Sequence, residues 1–309
     1  MLKYIVKRIL LIFPVVIGIT FFIYAVLALA PGDPVALMLG PDSTLEQREA
    51  MAHELGLDGN LFARYFNYMK SVVQGNFGNS WLSGRSVMTE FQQRIPHTLA
   101  LAVCSLVITL FFGLSFGIIA AVQQNRPIDN VTLVFALLFS SIPTFWCGLM
   151  LQLAFALHLK WLPAMGSGSL RHLILPAITL SMISLAGQVR MTRSSMLDVT
   201  NMDYVRTARS KGAGEFHIIM RHVVRNGLLP VVTNLGIVFA NAFGGAIVTE
   251  TVFSIPGIGT YMINAAKARD VPIVMGVIIF VALIVAVINL VVDLIYAFID
   301  PRVKLGYMS

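Results

Sequence analysis

Charge is what this chain has least of. Asp, Glu, Lys and Arg make up 12% of its 309 residues, where a soluble domain carries about 25%. Hydrophobic residues make up 57% and mean hydropathy is +0.80. So few charged side chains cannot cover a soluble domain of this size. Cysteine is almost absent too. Cys104 and Cys147 both sit in apolar runs, so they read as small core residues, neither a disulfide framework nor a thiolate metal site. No Gly-x-x-x-x-Gly-Lys-Ser/Thr loop occurs, which excludes ATP binding by that route. Acidic residues number 15 against 22 Lys and Arg, a net charge of +7. That balance alone would admit nucleic acid as a partner. No basic–aromatic groove motif accompanies it, and the cations cluster as they do in membrane proteins.

Long apolar runs stand in place of charge. Residues 9–30, 98–122, 130–157, 173–189, 230–252 and 273–298 are each read as a membrane-crossing helix, for which about 20 such residues are typical. The expected fold class is an all-α polytopic membrane protein with six transmembrane helices. The first run is too long for the h-region of a signal peptide, about 7–15 residues. Pro31 also follows Ala28-Leu29-Ala30 directly, so that run is expected to be retained. Basic residues favour the cytoplasmic side, and 13 of the 22 fall in residues 1–8, 123–129, 190–229 and 299–309. Both termini are therefore placed in the cytoplasm.

Outside the runs, residues 31–97 form an external segment. The sequence predicts helices over 43–55, capped by Ser43 with Glu46 closing a capping box, over 61–73 and over 87–94. Ser140-Ser141-Ile142-Pro143 interrupts the third run and predicts a kink. Pro176 breaks the fourth. Residues 253–272, with Pro256-Gly257, form an external re-entry.

The most informative stretch is the charged island from Asp203 to Pro230. Asp203 is placed as an N-cap and Gly212 as a stop about two turns later. A second helix is predicted over 214–227. Phe216, Ile219, Met220, Val223 and Val224 recur at helical spacing and make one apolar face. Arg221, His222 and Arg225 occupy much of the rest. His217 and His222 are five apart and so are not expected to share a face.

Here the residues carry a resemblance. Arg206-Thr207-Ala208-x-x-x-Gly212 resembles the coupling-loop signature Glu-Ala-Ala-x-x-x-Gly of permease subunits of binding-protein-dependent ABC importers. Tyr204-x-Arg206-Thr207-Ala208-x-x-Lys211-Gly212, followed by Arg221-His222-x-x-Arg225-Asn226-x-x-x-Pro230, resembles the dipeptide/oligopeptide/nickel branch. So do Ala30-Pro31-Gly32-Asp33-Pro34, Gly75-x-Phe77-Gly78-x-Ser80, Glu250-Thr251-Val252-Phe253 and Asn289-Leu290-x-Val292-Asp293-x-x-Tyr296 with Asp300-Pro301-Arg302. Arg206 replaces the general signature's glutamate, and Pro230 lies later than its proline.

The resemblance implies a type I ABC importer permease fold in the bacterial cytoplasmic membrane. It implies a second homologous permease subunit, two cytoplasmic ABC ATPases that hold ATP and Mg, and an external substrate-binding protein. It implies no cofactor in this chain and no catalysis by it. Tyr204, Arg206, Thr207, Ala208, Lys211, Gly212, Phe216, Arg221, His222 and Arg225 would be the ATPase-coupling residues. Di- or oligopeptides would be the cargo, with nickel, a metal chelate or glutathione as alternatives.

Polar residues inside the runs are costly there and face a cavity or another helix. Asn234 and Asn241, seven apart, are pathway candidates, and Glu250 is a candidate external contact or a brace for the Pro256-Gly257 turn. Asp293 reads as a structural ion pair or cap. A secondary transporter is the more distant alternative, and it calls for coupling carboxylates near mid-membrane. The carboxylates here lie near the ends of the runs.

Overall fold

Apolar runs broken by Pro and Gly dictate helices, and helices are what form. The computed structural model describes residues 2–29, 34–40, 42–57 and 59–299, except for the side chains of 2–9, 34, 37, 293 and 295–299. Residues 30–33 and 300–309, and the side chains of Asp293 and Tyr296, carry parts of the motifs above and lie outside the described set. The described residues hold α1 (Leu2–Leu29), α2 (Pro34–Leu39), α3 (Leu45–Glu54), α4 (Leu61–Val73), α5 (Val87–Val122), α6 (Pro127–Ser141) and α7 (Thr144–Leu151). They continue with α8 (Arg171–Thr200), α9 (Asp203–Ser210), α10 (Glu215–Ile218), α11 (Arg225–Val252), α12 (Ile258–Ala268) and α13 (Val271–Ile299). Two π-helical turns, Gln152–His158 and Ile219–Val224, extend α7 and join α10 to α11.

Among the described residues, five helical stretches are long and apolar enough to cross a membrane, and the pair α6–α7 makes a sixth if it counts as one span. That pair bends by 98°, much more than a kink. Ile142 and Pro143 are extended, which ends α6 outright. Ser141 Oγ donates to Leu137 O at 2.9 Å and Ser140 Oγ to Met182 O at 3.3 Å, so the serines are occupied at the break.

Several expected boundaries move. Residues 87–94 are not a separate helix, since α5 runs 36 residues through Pro96. The helix that carries the fourth expected span runs past residue 189 and ends at Thr200. The second island helix and the fifth span are one continuous helical stretch, with Pro230 inside it. In each case a change of polarity did not coincide with a helix end. The cap of α3 is Thr44, whose side chain accepts from Gln47 N while Gln47 returns the bond. Ser43 is instead bonded to Gly40 O and Arg48.

The chain divides into two compact units. Residues 1–97 with 256–286 form the first, and 98–255 with 287–309 the second. In the first, Val87, Phe91, Ile258, Ala265, Ile273, Val274 and Val277 make a buried core. Fully buried Asp270 accepts from Ser80 Oγ at 2.6 Å and Leu82 N at 3.3 Å, which pins the turn before α5 to the start of α13.

In the second unit α8 is the central helix. A Cβ on Gly113 would stand 2.5 Å from Gln188 Cγ, and one on Gly117 2.5 Å from Thr192 Cβ. Gly113-x-x-x-Gly117 thus lets α5 and α8 approach backbone to backbone, as small residues do in membrane helix packing. Asn234 Nδ2 donates to Gln188 Oε1 at 2.9 Å, tying α11 to the same helix. Gln152 Nε2, in the first π turn, donates to Ala164 O at 2.9 Å and Val252 O at 3.1 Å.

Candidate coupling site

The island is built on an apolar underside. Val205 of α9, Ile218 of α10 and Val223 of the second π turn are buried with Ala121, Met196 and Val199. Burying a side chain of this size is worth about 1.5–3 kcal/mol, so these three residues hold the island onto α5 and α8. Ser195 Oγ donates to Gly227 O at 2.6 Å. Gly227 packs so closely on Met196 that a Cβ would meet its sulfur at 2.7 Å. Deeper in the unit, Arg193 forks onto Asp129, with Nε–Oδ1 and Nη2–Oδ2 both 2.7 Å. Asn125 N donates to the same carboxylate at 3.0 Å. The start of α6 is therefore fixed to α8 two turns above the island.

The hinge is at Gly212, with φ +79°. Gly212 N donates to Arg209 O at 3.0 Å and Ala213 N to Ala208 O at 3.3 Å. These are the two bonds of a Schellman cap, which calls for a left-handed residue where Gly212 stands. The N-cap of α9 is Met202, extended and without a side-chain bond, so Asp203 is the first helical residue instead of the cap. It still sits where a negative charge suits the helix dipole. Arg209 Nε donates to Glu215 Oε1 at 2.6 Å and Nη2 to Oε2 at 3.2 Å, bridging α9 to α10 across the hinge. The Glu215 carboxylate raises the Arg209 pKa still further above its ordinary value.

The apolar stripe expected on the second helix is split. Ile218 and Val223 are buried, whereas Phe216 is 79% exposed and Met220 is also exposed. The π turn is the cause. It adds a residue to one turn, so positions five apart share a face there and the 3.6-residue register fails. The same turn brings the His217 and His222 rings to 6.2 Å, edge to face, contrary to the spacing argument. Tyr204, Arg206, Thr207, Lys211, Gly212, Phe216, Arg221 and Arg225 are exposed. Ala208 and His222 are half-buried, Ala208 against the apolar underside. The result is an outward surface of Tyr204, Phe216 and Met220 among basic side chains.

The span candidates separate. Asn234 is engaged with Gln188, and Asn241, seven residues on, is exposed. Glu250 is 0% exposed and Thr98 Oγ1 donates to it at 2.5 Å. Its side chain is thus packed between α5 and α11 and presents nothing outward as an external contact. Its backbone carbonyl accepts from Ile255 N at 2.9 Å, bracing the turn that leads to Pro256. Nothing in the sequence alone announces the pairs Arg193–Asp129 and Arg209–Glu215. Gly113-x-x-x-Gly117 is different, since its spacing is a visible signal for close helix packing.

Comparison with known proteins bears on this geometry. Residues 113–305 match the family described as binding-protein-dependent transport system inner membrane component, and residues 1–102 match its N-terminal companion. The glutathione transport system permease protein GsiC of Escherichia coli K12 is 38% identical over 304 residues, covering 98% of this chain and 99% of that protein. The same protein of Shigella dysenteriae serotype 1 matches equally. Inward-facing structures of the MetNI methionine ABC transporter superpose with TM-scores of 0.60 and 0.57. They are 16% and 17% identical and cover 69% of this chain and 97% of theirs, a likeness of fold. Members of the family are multi-pass inner-membrane permease components, not enzymes, and hold no cofactor, ATP being handled by a partner. This chain belongs to the inner-membrane permease family of binding-protein-dependent ABC importers, in its dipeptide/oligopeptide/nickel branch.

Proposed function

We propose that this chain forms half of the translocation pathway for di- or oligopeptides and couples it to ATP hydrolysis through α9 and α10. A second homologous permease supplies the other half. Two cytoplasmic ATPases and an external substrate-binding protein complete the assembly. The chain crosses the membrane six times, with both termini and the island in the cytoplasm. The observation that carries this reading is the island surface. Tyr204, Phe216 and Met220 stand exposed among Arg206, Lys211, Arg221 and Arg225, over a buried underside that fixes them to α8. An exposed apolar centre with a basic rim suits a protein cleft better than water.

On this reading, closure of the ATPases on ATP draws the two coupling islands together. The helices above them move as rigid bodies and turn the pathway from outward to inward. Cargo choice rests mainly with the binding protein. A glutathione cargo is the favoured alternative, because the 38% identical, full-length relative is a glutathione permease. Glutathione is itself a small peptide, so the two readings differ in cargo and share the machinery. Nickel or a metal chelate is the other alternative.

The test is uptake by the complete transporter in proteoliposomes, with ATP inside and loaded binding protein outside. Labelled dipeptides, longer peptides, glutathione and nickel are compared. ATP-dependent peptide uptake is the expected result. Uptake of glutathione or nickel alone would replace the cargo. No ATP-dependent uptake of any solute, with every subunit retained, would overturn the coupling reading.

A further inference from the structure

The sequence places α4 in an external cap, but its neighbours lie inside a membrane span. Tyr65 Oη pairs with Thr20 Oγ1 at 2.8 Å and donates to Ile17 O at 3.1 Å. Ile17 lies 12 residues before Leu29, or about 18 Å along a helix that rises 1.5 Å per residue. The apolar span of α1 is Leu10–Leu29, so Tyr65 stands beside its middle. On α13, Tyr65 shares a buried cluster with Met275, one turn inside that helix. Phe62 stacks on Phe21 of α1, with ring centroids 5.3 Å apart and planes at 21°.

The opposite face of α4 is uncovered. Phe62 is 68% exposed, Phe66 72% and Val73 84%. They lie four and seven residues apart, which puts them on one stripe, with exposed Lys70 between the last two. On α1 itself the apolar side chains Phe13, Ile17 and Phe22 are also half or more exposed. The two helices meet at the Phe21–Phe62 contact, and α1 holds a candidate membrane span.

We propose that α4 is embedded in the bilayer, lying along α1 with its Phe62–Phe66–Val73 stripe on lipid acyl chains. This makes it a lipid-facing amphipathic helix of the chain's own, not part of a water-exposed cap. Lys70 lays its apolar stem along the stripe and carries its ammonium to the headgroups. The proposal rests on α1 spanning the membrane, and not on the cargo or the coupling surface.

Spin-label accessibility in the assembled transporter tests it. Cys104→Ser and Cys147→Ser remove the native thiols, and Phe66→Cys receives the label in proteoliposomes. Glu49→Cys on α3, a helix with no buried residue, is the aqueous reference. The expected result is high collision with oxygen and low collision with a water-soluble nickel chelate at Phe66, and the reverse at Glu49. A nickel-accessible label at Phe66 would mean that the stripe faces water and would overturn the proposal. So would a label shielded from both reagents, which would mean that a protein covers the stripe. If Phe66→Cys does not assemble, Phe62→Cys reads the same stripe and is held to the same outcomes.

Discussion

Replacing Gly212 by valine isolates the hinge from everything else that holds the island. The residue has φ +79°, and an added Cβ would meet nothing within 4 Å. The cost is therefore conformational and not steric against neighbours. An L-residue in the left-handed region costs about 1–2 kcal/mol, and a β-branched one is worse placed there than alanine. At about 1.4 kcal/mol per tenfold, Gly212→Val should cut the population of the closed turn by tenfold or more. Opposing it is the Arg209–Glu215 bridge, whose side chains are 47% and 60% exposed. Exposed bridges contribute about 0.2–1 kcal/mol, which does not offset the loss. Gly214 is the comparison: with φ −64° and ψ 143° it has a backbone that any residue adopts, and its surroundings are open. Gly214→Ser should be silent, or slightly stabilising as an N-cap.

The assay is one reconstituted preparation read three ways: transport, stimulation of ATPase activity by loaded binding protein, and retention of the ATPases on the permease. Gly212→Val should insert normally and transport poorly. Its ATPases should dissociate or hydrolyse ATP without responding to the binding protein. Gly212→Ala should fall between the mutant and the parent. Parental behaviour of Gly212→Val in all three readouts would refute the reasoning. So would equal damage from Gly214→Ser, since then the island would tolerate no change of any kind and the left-handed turn would not be the cause.

Gly117→Leu forces a branched side chain against Thr192, where even a Cβ would stand at 2.5 Å. It should lower the melting temperature of the detergent-purified complex by several degrees, as overpacking costs about 1–3 kcal/mol, and an unchanged melt would disprove the close contact. Arg193→Ala leaves the Asp129 carboxylate, 2% exposed, without its guanidinium. A loss of about 3–5 kcal/mol is expected, with the double change Asp129→Leu/Arg193→Met milder than Arg193→Ala alone in the same melt. For topology, Gly214→Cys should resist an impermeant thiol reagent in intact cells, whereas Glu49→Cys should react; labelling of the former would invert the orientation.

What the sequence made legible followed from the physics that it encodes most simply. Run length and composition gave the helices that cross the membrane, because about 20 apolar residues have few other uses. The turn at Gly212 was legible because only glycine adopts its backbone angle freely. The short helix over Leu61–Val73 came out as expected, with Asn60 accepting from Ala63 N as its cap. The failures also share a cause. Helix ends were read from changes in polarity, yet α8 passes from apolar to charged residues without a break and ends only at Thr200. The face of the second island helix was read at 3.6 residues per turn, and no residue in Ile219–Val224 announces a π turn. Side-chain pairs such as Arg193–Asp129 and Thr98–Glu250 join residues far apart in the chain. One sequence holds the partners but not the pairing.

The ties around α8 bear on how a movement at the island would reach the membrane. A coupling surface transmits motion only if the elements behind it are stiffer than the joint in front. Behind α9, helix α8 continues unbroken from Thr200 back to Arg171. Ser195 holds Gly227 near the end that leads to α9, Arg193 forks onto Asp129, and Gln188 engages Asn234. Each tie joins α8 to a different helix or to a different point along it. Gly113 and Gly117 bring α5 against the same stretch at backbone distance. No glycine or proline interrupts α8 between Gln188 and Thr200, which is where these ties cluster. In front of it, α9 and α10 meet at the left-handed Gly212, bridged by Arg209–Glu215 and seated through Val205 and Ile218 on a shared apolar underside. Displacement of the Phe216 surface would therefore reach α11 directly along the continuous stretch Glu215–Val252, and α5 and α6 through α8 and its ties.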